Sequence, residues 1–268
     1  MRNHWLISCI LALALSLIGC APQAATPASQ TLTVMAAASL TESFTELGKQ
    51  FESQHAGVTV QFNFAGSQQL VQQLSEGAPA DVFASANAKQ MTAAVDAGRV
   101  GATAPRPFVS NRLVVILPSA NPGGIASLAD LAKPGLKIVL AAKEVPVGQY
   151  SLDFLANAAQ DPSFGSGYQQ AVLSNVVSYE ENVRSVLSKV ALGEADAGIV
   201  YSSDVSTDAA RQVKRIDIPD NLNVIASYPI AVIQDSAHPE LASAFVDLVF
   251  SKEGQSVLQK YGFLPPGR

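Results

Sequence analysis

Four stretches of this chain place small or hydroxyl-bearing residues where a helix should begin. They are Ala36-Ala37-Ala38-Ser39-Leu40-Thr41-Glu42, Phe64-Ala65-Gly66-Ser67-Gln68-Gln69-Leu70, Val145-Pro146-Val147-Gly148-Gln149 and Glu180-Glu181-Asn182-Val183-Arg184. Ser39 and Glu42 have the spacing of a capping box. Gly66 permits a tight turn with Ser67 as the cap, and Pro146 suits a first helical turn. A helix start carries N–H groups without intrahelical acceptors and a partial positive charge, so it can hold an anion without Lys or Arg. Taken singly, Ser39 and Ser67 are explained more simply as ordinary N-caps than as ligands. These residues alone support an α/β protein with several helix starts open to anions.

Catalysis finds little footing. Of the three His, His4 falls in the N-terminal segment expected to be cut away as a signal, His55 in Gln54-His55-Ala56-Gly57 reads as a helix end, and His238 before Pro239 reads as a turn. Ser67 lacks the G-x-S-x-G elbow of a nucleophile, and no H-E-x-x-H or Cys cluster is present. Glu180-Glu181 and Asp217/Asp220 read as solvated surface. Arg184 could meet a carboxylate ligand but reads more simply as a helix-surface residue. Tyr150, Tyr168 and Tyr179 show no pattern for ferric capture. The chain is expected not to be an enzyme, with a secreted hydrolase as the remote alternative.

The elements that must position these residues follow from periodicity. Val58 to Phe64 alternates apolar and polar, the period of a half-buried strand. Thr31–Ala37, Asp81–Ser85, Leu113–Leu117, Lys137–Ala141, Gly198–Tyr201 and Ile230–Ile233 are further strand-like runs. Leu40, Phe44, Leu47 and Phe51 share one helical face, as do Val183, Val186, Leu187, Val190 and Ala191. Gly77 and Gly193 stand where helix C-caps are expected. Two helices are expected at the tail, around Leu241–Val249 and Val257–Tyr261. Alternating strands and helices imply an α/β architecture with mainly parallel sheets. In such sheets helix N-termini collect at the carboxyl ends of strands, where several could converge on one ligand. The length suits two lobes joined by crossings near Asn111–Leu117 and Asn223–Ile233, giving lobe 1 as residues 31–112 plus 228–268 and lobe 2 as 113–227.

The first thirty residues stand apart. Arg2 precedes an apolar run, Leu6 to Ile18, too short for a span of about 20 residues and expected to be an export signal, residues 1–19. It ends in Leu17-Ile18-Gly19-Cys20, the pattern of a bacterial lipobox, in which Cys20 would be acylated. Residues 20–30 then read as a flexible tether. The other Cys, Cys9, lies inside the signal, so the mature chain can form no internal disulfide and no Cys-built metal site. Basic residues number 17 against 22 acidic, for a net charge of −5, and no basic patch speaks for nucleic acid. Any bound anion must therefore be held by local groups.

In order and spacing, the chain resembles the molybdate-binding proteins of bacterial ABC transporters. The matching segments include Thr33–Thr41, Phe64–Ser67, Gly77–Phe83, Val145–Gly148, Glu181–Arg184, Gly198–Asp204, Tyr228–Val232 and Tyr261–Phe263. The resemblance spans Thr31 to Phe263 and implies a two-lobed periplasmic-binding-protein-like fold (type II) with the ligand in the interlobe cleft. It implies an oxyanion, molybdate or tungstate, held by Ser39 and Ser67 through hydroxyl and backbone, Val147 and Val183 through backbone N–H, and Tyr201 through its phenol. No direct protein–metal ligand and no cofactor is expected. The implied partners are the oxyanion, an ABC permease, and the membrane through the lipid on Cys20. A monomer in the cell envelope, periplasmic or on the outer face of the cell membrane, is expected.

The chain departs from the family in three places. Val147 stands where Ala is frequent, Gly66 where Ser is frequent, and Asn182 where Asp is common. A pocket made of donors suits a fully deprotonated dianion. Hydrogen phosphate carries a proton that needs an acceptor, and leaving it unpaired costs about 1–3 kcal/mol. Sulfate has shorter bonds to oxygen and would leave some donors out of reach. Another oxyanion, sulfate or phosphate, is the alternative ligand.

Overall fold

The computed structural model describes residues 29–206 and 211–267. The expected signal, Cys20 and the tether up to residue 28 lie outside them. Gln30, expected to close the tether, is already the first residue of a strand.

The first half of the molecule alternates strand and helix. Gln30–Ala37 (β1), Thr41–Gln54 (α1), Val58–Ala65 (β2), Ser67–Ser75 (α2), Val82–Ala84 (β3) and Ala88–Asp96 (α3) follow in order. β1 pairs in parallel with β2 on one side and with β3 on the other. Parallel neighbours need a crossover connection, and α1 and α2 supply them. Arg106–Pro118 (β4) then runs on into the second half.

That second half holds Ile138–Ala141 (β5), Pro146–Gln160 (α4), Tyr168–Ser174 (α5), Val176–Glu180 (β6), Val183–Ala191 (α6), Ala197–Tyr201 (β7) and Val213–Asp217 (β8). β5 pairs in parallel with β6 and β7. Ile225–Val232 (β9) returns to the first half, and Pro239–Phe250 (α7) and Lys252–Lys260 (α8) pack there. The strand order is β2-β1-β3-β9-β4-β7-β5-β6, with β8 on β4.

β4 is the pivot of this arrangement. Arg106 to Arg112 pair antiparallel with β9, whereas Leu113 to Pro118 pair antiparallel with β7 and β8. The sheet is therefore mixed, parallel in its outer arms and antiparallel where the two long strands cross. β9 joins the first half from Ile225, where it meets Arg112, so the boundary expected at residue 227 falls inside a strand. β4 also begins well before the apolar run at Leu113. Arg106, Pro107, Ser110, Asn111 and Arg112 hide its first half from hydrophobic patterning, yet Phe108 to Asn111 are buried.

Burial explains which runs were legible. β5 and β7 are buried at every position, as strands covered on both faces must be, so they read as continuous apolar stretches. β6 is an edge strand, with Val177 59% and Tyr179 55% exposed, and shows no apolar face. The first-half core centres on Phe44, whose ring lies 5.8 Å from that of Phe108 and 5.9 Å from that of Phe245. Gly77 and Gly193 follow α2 and α6 with φ of 90° and 74°, the left-handed C′ conformation that glycine adopts without strain.

Candidate functional site

Four chain segments bring their helix starts to one place, at the seam between the two halves. α2 begins at Ser67, α4 at Pro146 and α6 at Val183, while a 3₁₀ turn over Ala38–Leu40 leads from β1 into α1. Ser39, Ser67, Val147, Val183 and Tyr201 line one small pocket there, together with Ala37, Ala38, Ala65, Gly66, Ala86, Val145, Pro146 and Asn182. All five residues singled out in the sequence thus line one pocket, drawn from both halves, and no lining residue carries a charge. The space left for the centre of a water-sized sphere is about 10 Å³, close to the minimum that one water needs.

Two local expectations give way to other arrangements. Ser39 sits inside the 3₁₀ turn, and the residue before α1 makes no side-chain cap, so the Ser39–Glu42 capping box does not form. Leu40 keeps helical dihedrals, so the turn continues into α1 and leaves no extended N-cap position for Ser39. Its Oγ lies 3.0 Å from the Tyr228 hydroxyl. Ser67 is the first helical residue, and Gly66 takes the N-cap position in its place. The Gly66 N–H donates to Gln69 Oε1 at 3.1 Å. Ser67 Oγ accepts from the Ala86 N–H at 3.0 Å.

Those bonds set what the wall can offer. With a lone pair of Ser67 engaged by a backbone N–H, its own hydrogen is free to point into the pocket. Ser67 and Val183 are the first residues of their helices and Val147 is the second, so by position their N–H groups have no intrahelical acceptor. The Tyr201 hydroxyl is buried beside that of Tyr228 and makes no well-formed hydrogen bond among the described residues. Burial pushes that phenol well above its ordinary range, and Tyr228, Tyr150 and Asp204 push the same way. It remains a protonated donor.

Behind the wall lies a set of polar groups that sequence reasoning did not single out. Asp204, fully buried, accepts from the Tyr201 N–H at 3.1 Å and faces Arg184 Nε at 3.5 Å. Asn111 and Tyr228, on the two crossing strands, are buried beside Ser39. Tyr228 announced itself only as a polar tip on an otherwise apolar strand, a pattern that calls for a buried partner.

Arg184 is not among the residues that line the pocket, and it is not a free surface residue. From α6 it reaches across the seam to Glu42 of α1 and to the Ala38 carbonyl at 3.3 Å. Three glutamines add to the bridging. Gln68 Nε2 donates to the Glu181 carbonyl at 2.8 Å, Gln69 Nε2 to Glu181 Oε2 at 2.9 Å, and Gln90 Nε2 to the Glu144 carbonyl at 3.2 Å. Gly66 lies under the same Glu181 carbonyl, which a Cβ at position 66 would meet at 2.4 Å. Glu180 and Glu181 are thus engaged groups: Glu180 is largely covered and paired with Lys189 at 2.6 Å.

Other residues weighed in the sequence take quieter places. His55 ends α1 and stacks on Phe51 at 3.9 Å, and His238 precedes α7. Asp217 and Asp220 are exposed partners of Arg215 and Arg112. Among the described residues no group of three or more His, Cys, Asp or Glu is arranged to hold a metal ion, and no helix is long and apolar enough to cross a membrane.

With this geometry in view, the comparisons converge. The family model for bacterial extracellular solute-binding proteins matches residues 32–264. The molybdate-binding protein ModA of Mycobacterium tuberculosis (strain ATCC 25618 / H37Rv) is 38% identical over 266 residues, covering 97% of each chain. The molybdate-binding protein ModA of Escherichia coli (strain K12) is 32% identical over 240 residues, covering 87% of this chain and 88% of its own. The solved periplasmic molybdate-binding protein of Azotobacter vinelandii superposes with a TM-score of 0.75 at 21% identity, over 88% of this chain and 99% of that one. That last likeness concerns the fold.

Proposed function

The chain belongs to the bacterial extracellular solute-binding family, and from that premise we propose that it captures molybdate or tungstate for an ABC importer. The observation that carries the reading is the convergence of Ser39, Ser67, Val147, Val183 and Tyr201 on one small, uncharged pocket. We assign these five as the donors to the oxyanion. Each hydrogen bond to a charged oxygen contributes about 1.5–3 kcal/mol net. Five to seven of them, less the cost of ordering, suffice for a site between about micromolar and about nanomolar, or roughly −8 to −12 kcal/mol. The groups are dipoles fixed by helices and strands, so an acidic protein can hold a dianion without a counter-charge.

Binding in this reading is a closure. Residues 31–112 with 228–268 form one lobe and 113–227 the other, save that β9 carries Ile225 to Ser227 into the first; the pairing switch between Arg112 and Leu113 supports the boundary at 112. The pocket is small enough that a tetrahedral anion enters only when the lobes part, and the Arg184 and glutamine bridges then hold them shut. Solution scattering should give a smaller radius with molybdate than without it. Delivery to a membrane permease, anchorage through a lipid on Cys20, a monomeric state and an envelope location complete the proposal. No bond is made or broken in the bound solute, and no cofactor takes part.

A thermal-shift panel across molybdate, tungstate, sulfate, phosphate, chromate and ferric citrate tests it. Molybdate and tungstate should raise the melting temperature most. A larger shift with sulfate or phosphate would move the assignment to that oxyanion, and no shift with any member would end it.

A further inference from the structure

The donors at the pocket are ordinary hydroxyls, and a hydroxyl can accept as readily as it donates. Whether the site is selective for a deprotonated anion depends on what holds each hydrogen in place. Ser67 is settled by the backbone, since the Ala86 N–H fills its oxygen from behind at 3.0 Å. Ser39 has no such backbone donor, and its oxygen faces the Tyr228 hydroxyl at 3.0 Å, a contact that either atom could donate.

The direction of that contact follows from Asn111. Its Oδ1 lies 3.0 Å from the Arg112 N–H, which can only donate, so the amide has one orientation. Ser202 Oγ, at 3.0 Å, donates to the same oxygen. Nδ2 is thereby turned toward Ser203 Oγ at 2.8 Å and the Tyr228 oxygen at 3.5 Å. The second contact is long, yet it still presents the positive end of the amide to the phenol oxygen. Tyr228, whose oxygen is also faced by the Tyr201 hydroxyl on the donor side, then directs its single hydrogen to Ser39 Oγ. With that lone pair of Ser39 engaged, its own hydrogen is the one left to point forward into the pocket.

Resting on the oxyanion reading above, we propose that Tyr228 and Asn111 are positioning residues that lock Ser39 as a donor and so exclude protonated oxyanions. The backbone N–H of Arg112 orients Asn111, Asn111 polarises Tyr228, and Tyr228 orients Ser39. Asn111 and Tyr228 are buried on the two strands where the halves cross, and Ser39 is buried in the turn beside them. Neither Tyr228 nor Asn111 lines the pocket. Their effect reaches the anion only through the Ser39 hydroxyl.

Calorimetry on the full chain and its Tyr228→Phe, Ser39→Ala and doubly substituted forms tests this, with phosphate at about pH 6 as competitor. Tyr228→Phe should weaken molybdate about tenfold, equivalent to about 1.4 kcal/mol. It should also lower the preference for molybdate over phosphate, because a released Ser39 can accept the proton of hydrogen phosphate. Ser39→Ala alone should cost more than about tenfold by the same scale, and adding Tyr228→Phe to it should change little. Asn111→Leu, which leaves both hydroxyls in place, should move the preference the same way and serves if Tyr228→Phe does not fold. An unchanged preference in a folded variant, or effects that add in the double variant, would overturn the relay. Wild-type protein that binds no molybdate would instead remove the functional reading beneath it.

Discussion

The Tyr201 hydroxyl is the residue-scale feature with the sharpest consequence, because it is buried without a well-formed hydrogen bond among the described residues. Such a group costs about 1–3 kcal/mol, so Tyr201→Phe should stabilise the protein alone by about 1 kcal/mol while weakening molybdate binding. Urea melts with and without molybdate would show the two effects with opposite sign, and a loss of stability in both would argue for a structural role. Asp204 gives a pH test. Burial lifts its carboxyl from 3.8 to about 6, although Arg184 and the Tyr201 N–H pull it down. The folded protein then holds this proton more tightly than the unfolded chain. Its contribution is fully present below about pH 4 and is lost as pH rises through about 6, a change of about 3 kcal/mol in order of magnitude. Denaturant midpoints between those pH values should show that slope, and Asp204→Asn should flatten it. The five pocket residues were legible because the ordered resemblance named positions. Asp204, Asn111 and Tyr228 were not, since no local pattern tells a buried polar group which neighbour will satisfy it.

At the scale of elements, what reads from sequence is what the local environment dictates. α1 and α6 carry apolar stripes, and β5 and β7 are buried on both faces, so periodicity found all four. β6 and β8 are strands by pairing rather than by composition: Val213–Asp217 is mostly polar and exposed, yet it pairs with the buried β4. The capping box at Ser39 failed for a related reason, since spacing cannot foresee that the turn runs on through Leu40 into α1, and Glu42 pairs instead with Arg184 from far along the chain. That ion pair ties α6 to α1, so its loss should act on closure rather than on contact with the anion. Glu42→Gln is expected to weaken molybdate by about two- to fivefold, the range of a partly exposed pair, and to enlarge the scattering radius in solution. Unaltered scattering and affinity would mean that the glutamine bridges suffice.

For the whole molecule, a net charge of −5 surrounds a pocket whose lining bears none. A site built from Arg or Lys loses affinity as salt screens the attraction. Here the long-range field repels the dianion and the short-range dipoles attract it, so added salt should quicken association. Stopped-flow rates at about 10 and about 300 mM salt, conditions that shorten the Debye length severalfold, should rise, and a fall would reveal a cationic entry path. Closure also places a boundary on redesign, and Gly66 marks it. The family's frequent serine cannot simply be restored there, because its first carbon would occupy the place of the Glu181 carbonyl from the facing lobe. An engineer seeking new anion preferences would gain a hydroxyl and lose a lid, so retuning has to begin elsewhere on the wall.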